Sequence, residues 1–218
     1  MRTEHLIFDL DGTLTDPREG ITRSYAHALS RLDYPVPALA ELTRFIGPPT
    51  REVLRELLDT HDPARIEQGV ALYRERFASV GMYENEVFAG IDALLAALAA
   101  RGHGLWICTS KPGVYVQQIA EHFGFTRSLR AVYGCELDGG RSDNAELLAY
   151  LLQREAIDAQ RAVMIGDRVH DVRAARACGV RSIGVLYGFG SRQELSEAGA
   201  DLLCGSVPEL AEALAKLG

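Results

Sequence analysis

Short apolar runs that end in small or acidic residues alternate with longer stretches whose apolar positions recur every three or four residues. The runs are His5–Asp9, Gly104–Thr109, Ala131–Cys135, Ala162–Asp167 and Arg181–Leu186. Unbroken hydrophobicity over such short lengths predicts strands buried on both faces. Between them, Ile91, Leu94, Leu95 and Leu98 fall on one face of a helix over 91–101. Val116, Ile119, Ala120 and Phe123 do the same over 114–123. Further helices are predicted over 145–154, 171–178 and 207–217, with Gly179 as a helix stop. This alternation implies right-handed crossovers and a doubly wound parallel sheet, a Rossmann-like α/β core. Residues 16–84 break the rhythm. The segments 20–32, 38–46, 50–58 and 66–81 read as helices, with Pro48-Pro49 ending one and Thr50 able to cap the next. The expected organisation is an α/β core of residues 1–15 and 85–218, with an all-helical insert of residues 16–84 after the first strand.

Composition narrows the class. The chain has 218 residues, 47% hydrophobic and 24% charged, the balance of a soluble globular protein. Lys+Arg 23 against Asp+Glu 30 leaves a net charge of −7 with no basic run. That excludes the electrostatic footprint of a nucleic-acid binder, but not a small anionic substrate beside a metal ion. No apolar stretch of ~18 residues predicts a membrane span. Asp9 and Asp11 interrupt the first apolar run too early for a signal peptide. Cys108, Cys135, Cys178 and Cys204 form no CxxC pair and read as buried thiols in a reducing compartment. A cytoplasmic protein is expected.

Three strand ends carry candidate chemistry. Phe8-Asp9-Leu10-Asp11-Gly12-Thr13 places two acids two residues apart, so both point the same way if the strand persists. Ile107-Cys108-Thr109-Ser110-Lys111-Pro112 ends a strand in two hydroxyls and a cation before a helix, which suits an anion. Gly166-Asp167-Arg168-Val169-His170-Asp171 ends another strand in an acid with a second acid four residues on. Asp9 and Asp167 at one sheet edge offer hard oxygen ligands for Mg²⁺. Asp171 is able to hold a metal-bound water or the loop. His170 reads as a helix-start residue, and Trp106 as core packing.

Together these motifs resemble the haloacid dehalogenase superfamily, and in particular its phosphatases of the phosphoglycolate-phosphatase-like and 5′-nucleotidase-like subgroup with a helical C1-type cap. FDLDGTLTD is similar to the family's first motif, Thr109-Ser110 to its second and GDRVHD to its fourth. The cap loop Phe45-Ile46-Gly47-Pro48-Pro49 also looks like this subgroup. The resemblance implies a Mg²⁺-dependent phosphomonoesterase acting on phosphoglycolate or a nucleoside monophosphate. Asp9 would be the nucleophile and Asp11 the acid/base. Asp9, the main-chain carbonyl of Asp11, and Asp167 would hold the metal. Thr109, Ser110, Lys111 and position 144 would bind phosphate, with Thr13 and Asp171 supporting. Thr15, Ile46, Pro49 and Arg51 would select the substrate from the cap. Arg51 would pair with a substrate carboxylate or second phosphate, or stand as a solvated first-turn residue. Tyr73 and Phe77 read as cap core.

One departure matters. The third motif of the family is a lysine, and by alignment of residues 133–148 its place is taken by Asn144. Either Lys111 or Arg141 supplies the missing charge, or Asn144 stands where a natural lysine belongs, or the protein is a weak catalyst or a binding relic. A phosphosugar mutase using the same Asp9 and Asp11 is the alternative activity. No nucleic acid or membrane partner is expected, and the chain is read as a monomer or homodimer.

Overall fold

In the computed structural model, which describes residues 3–217, the run Leu6–Phe8 is at most 1% exposed. It lies in strand β1 (His5–Phe8), whose two edges are both hydrogen-bonded to neighbours. The other strands are β2 (Thr15–Asp16), β3 (Glu86–Val87), β4 (Gly104–Pro112), β5 (Ala131–Cys135), β6 (Ala162–Gly166), β7 (Arg181–Val185) and β8 (Leu202–Cys204). Six of them form one parallel sheet in the order β5-β4-β1-β6-β7-β8, while β2 and β3 pair as a short ribbon. In register, Ile7 lies opposite Trp106 on one side and Met164 on the other.

This strand order fixes where a ligand can enter. The chain steps outward from β1 to β4 and β5, then returns to β6 on the opposite flank of β1. The direction reverses at β1, and the crevice of such a sheet opens at the carboxyl ends beside that reversal. Helices α5 (Ile91–Ala100), α6 (Gly113–His122), α7 (Asn144–Arg154), α8 (Val169–Ala177), α9 (Arg192–Ala198) and α10 (Val207–Ala215) complete this unit, their labels following those of the helical unit below. On one face, Ile7, Trp106, Cys108 and Met164 pack with Leu147, Leu148 and Leu151 of α7 and Ala174 and Ala175 of α8.

The chain divides into two compact units, Met1–Asp16 with Val87–Gly218, and Pro17–Glu86. The second is helical: α1 (Arg18–Arg31), α2 (Leu39–Leu42), α3 (Thr50–Leu57) and α4 (Pro63–Ser79). Several boundaries differ from the sequence expectation. The helix predicted over 38–46 breaks after four residues into a 3₁₀ turn, Thr43–Phe45. Thr50 is the first helical residue and caps nothing; Pro49 precedes it without a side-chain cap. Helix α4 starts three residues early because Asp62 accepts from the Ala64 N–H at 3.0 Å and Pro63 suits the first helical position. β8 and α9 were not anticipated, β8 being only three residues and partly exposed. Among the described residues no helix is long and apolar enough to cross a membrane.

Within the helical unit, Glu84 closes the ring. Its carboxylate accepts from Arg76 Nη1 and Nη2 at 2.7 and 2.9 Å and from Arg23 Nη1 at 3.0 Å, and its carbonyl accepts from the Gly20 N–H at 3.0 Å. The Arg76 hydrogen bonds, joined by Arg23, hold the carboxyl below its ordinary value of 4.5. A folded-state pKa below the unfolded one stabilises above the unfolded value and is lost as pH falls through the folded one. Glu84→Gln is expected to cost about 1–3 kcal/mol in urea unfolding at neutral pH. The difference from the parent should shrink below pH 4.5.

Candidate active site

Acids gather at one edge because β1 and β6 are neighbours. Asp9 directly follows β1, its N–H donating to the Ile165 carbonyl at 2.8 Å. Asp167 directly follows β6, and Asp171 stands in the first turn of α8. Carboxylate oxygens of Asp9, Asp167 and Asp171 lie within 4.8 Å of one another, and all three residues are buried.

Such a cluster resists ionisation. Burial pushes Asp9 well above the usual carboxylate range, and the charges of Asp171, Asp167 and Asp11 add to it, against a hydrogen bond from the Thr109 hydroxyl. Asp167 is pushed up to about 8 by burial and by Asp171, although the Phe189 N–H donates to its Oδ2 at 2.7 Å. Asp171 is pushed up to about 6 by burial, offset by the Arg168 N–H and the Asn144 side chain, each donating at 3.1 Å. Crowded buried carboxylates require protons or a cation between them. Asp167 Oδ1 and Asp11 Oδ1 are buried without a hydrogen-bond partner among the described residues. An all-oxygen donor set with unsatisfied lone pairs fits a hard divalent cation.

Asp11 turns to a different neighbour. Its Oδ2 lies 2.7 Å from Lys111 Nζ, with side-chain exposures of 11% and 7%. Lys111 reaches it because β4 continues past Thr109 to Pro112, with a register shift against β5 between those two residues. The strand thus runs three residues beyond the apolar run that ends at Thr109, and the Lys111 N–H donates to Thr109 Oγ1 at 3.4 Å. Ser110 lies between them, half-buried. After Asp11 the chain reverses at Gly12, whose φ is +87°. A Cβ there would sit 2.2 Å from Asp167 Oδ2, so both the turn and the close approach require glycine.

The remaining candidates separate. Asn144, the first residue of α7, serves Asp171. Arg141 is exposed, binds Glu136 and lies over the Tyr150 ring at 4.4 Å. Thr13 and Thr15 are fully buried, and neither hydroxyl has a partner among the described residues. The Thr13 carbonyl accepts from the Tyr187 hydroxyl at 3.0 Å. In the helical unit Ile46 is fully buried and Pro49 half-buried. There Arg51 grips Glu67 through Nε at 2.5 Å and Nη2 at 3.1 Å. Tyr73 and Phe77 stack in the core of that unit, as expected, with centroids 5.4 Å apart. Sequence reasoning missed the 187–190 loop, whose Phe189 N–H orients Asp167, and Glu194, which accepts from Arg168 Nε at 3.0 Å and the Val169 N–H at 2.9 Å. The Gly188-Phe189-Gly190 stretch after the β7 run was the available signal.

Known proteins are similar to this chain along nearly all of its length. Residues 6–185 match the haloacid dehalogenase-like hydrolase family model. A protein named 5′-nucleotidase from Pseudomonas aeruginosa is 50% identical over 98% of this chain and 96% of its own length. A protein of Mycobacterium tuberculosis named tyrosine-protein kinase PtkA is 36% identical over 96% of this chain and 72% of its own. A crystal structure of a predicted phosphatase from Clostridium acetobutylicum superimposes with a TM-score of 0.95 at 40% identity, covering 99% of this chain and 100% of that one. With its central parallel sheet, its acids at the reversal edge and these matches along nearly its whole length, the chain belongs to the haloacid dehalogenase-like hydrolase family.

Proposed function

We propose that the protein is a Mg²⁺-dependent phosphomonoesterase for a small phosphorylated metabolite. One observation carries this reading: two acids two residues apart in unlike surroundings, Asp9 in a buried carboxylate cluster and Asp11 paired with Lys111 at 2.7 Å. Asp9 attacks phosphorus, and the bond from phosphorus to the leaving oxygen breaks as Asp11, protonated once Lys111 turns from it to the phosphate, gives that oxygen a proton. Asp11 then takes a proton from the water that attacks the aspartyl-phosphate, which frees Asp9 and releases phosphate. Asp9, the Asp11 main-chain carbonyl and Asp167 would hold the Mg²⁺, and when bound it offsets the repulsion between Asp9 and the phosphate. Asp171 is fixed by Arg168 and Asn144 beside this group. Thr109 and the Ser110 N–H bind phosphoryl oxygens. Lys111 supplies the charge that position 144 lacks, because it stands beside Asp11 at the acidic edge, whereas Arg141 is exposed and held by Glu136 and Tyr150. To the helical unit, Pro17–Glu86, we assign the choice of leaving group.

The relative named 5′-nucleotidase supports a nucleoside monophosphate as substrate, and phosphoglycolate is the second arm of the assay. Phosphate release from both is expected to fall at least about 10³-fold in EDTA and return with Mg²⁺. Turnover that persists in the chelator removes the mechanism. In thermal unfolding, Mg²⁺ at about 100 times its Kd should add ~2.7 kcal/mol of stability. The relative named a tyrosine-protein kinase favours a second reading, in which a tyrosine hydroxyl replaces water as acceptor. Phosphotyrosine formed in place of free phosphate would identify it.

A further inference from the structure

At the amino ends of β1 and β4 lies a second hollow of about 750 Å³, away from the acidic edge. The four residues of β1 separate its His5 from that edge, a span of ~13 Å at strand rise. We propose that this hollow binds an oxyanion, the phosphate or carboxylate group of a small metabolite. Two buried nitrogens there, His5 Nδ1 and Trp106 Nε1, have no hydrogen-bond partner among the described residues. Both face one point. A Cβ on Gly104, which pairs with His5 in register, would sit 2.9 Å from His5 Nδ1 and 3.2 Å from Trp106 Nε1. Glycine at 104 lets both nitrogens lie against bare backbone, and an added methyl would crowd them. Trp106 is 6% exposed, and its indole N–H can only donate, so what satisfies it must be an acceptor.

Cations also stand in the lining. Arg101 and Arg130 line the same hollow. The two acids of its lining are engaged elsewhere: Glu155 accepts from the Tyr133 hydroxyl, and Glu4 pairs with Arg161. Burial and Arg130 lower the His5 pKa, and Nδ1 donates to an oxyanion in the tautomer that carries its proton there. Trp106 Nε1, Arg101 and Arg130 can only donate, which is what an oxyanion requires.

Trp106 is the chain's single tryptophan, so its emission reads the site. Inorganic phosphate and acetate are titrated separately into the full chain with EDTA present. A saturable change is expected, and whichever anion produces it identifies the headgroup. Arg130→Gln, at an exposed position, should raise the midpoint about tenfold or more. Gly104→Ala, which crowds both nitrogens, should abolish the change, with circular dichroism confirming the fold; if it does not fold, Arg130→Gln decides alone. Thr109→Val, at the far edge, should leave the midpoint within about twofold. The proposal is overturned if neither anion gives a saturable change in emission or calorimetric heat. It is equally overturned if Arg130→Gln leaves the midpoint in place, or if Thr109→Val moves it.

Discussion

Asp9→Asn is expected to lower phosphate release by about 10⁴-fold or more, and at the same time to raise the melting temperature of the metal-free protein. The first effect follows because an amide cannot take the nucleophile's part, and no neighbouring group substitutes for an atom that bonds to phosphorus. The second follows from the cluster itself. Asp9 is buried and crowded by Asp171, Asp167 and Asp11, all of which disfavour its charge. An isosteric neutral group relieves that conflict, and sites built for chemistry commonly gain about 1 kcal/mol or more when so relieved. Activity and stability measured on the same preparation check both. A variant that loses both would reflect damage to the fold; one that keeps its activity would remove Asp9 from the mechanism.

Lys111→Ala is expected to lower kcat/KM by about 10²–10³-fold, the usual effect of removing one preorganised charge donor. The lysine is also the ion-pair partner of a nearly buried carboxylate, so its loss leaves Asp11 uncompensated. Lys111→Arg separates the two effects, because it keeps the charge while changing its geometry. It should restore stability fully and turnover in part. Asn144→Lys is expected to give no comparable gain, since Asn144 already donates to Asp171 at 3.1 Å. A large gain there, with Lys111→Ala active, would move the working cation to position 144.

Much of this was legible in the chain because it depends on where apolar runs end. Phe8 and Gly166 close two buried runs, so Asp9 and Asp167 had to follow at one edge once β1 and β6 became neighbours. What stayed hidden depends on register and on main-chain groups. The pairing of Lys111 with Asp11 rests on β4 running past Thr109 through a register shift, which no hydrophobic period records. The Phe189 N–H on Asp167 has no sequence signature, because every residue but proline carries that group. The resemblance gives Asp171 a supporting part, and the first turn of α8 brings its carboxylate into the cluster. Arg51 could be read two ways from the sequence, and its grip on Glu67 depends on how α3 and α4 pack.

The glycines around Asp167 carry a further consequence. A side-chain carbon on Gly12 or on Gly188, far apart in the chain, would come within 2.2 or 2.4 Å of the same Asp167 oxygen. That carboxylate is thus boxed in by bare backbone from two directions, and its aim is settled when the chain folds, before any substrate arrives. A single methyl group added at either position would swing the acid out of line without touching a reactive atom. The tolerance of this enzyme to mutation should therefore be lowest at places that carry no chemistry of their own.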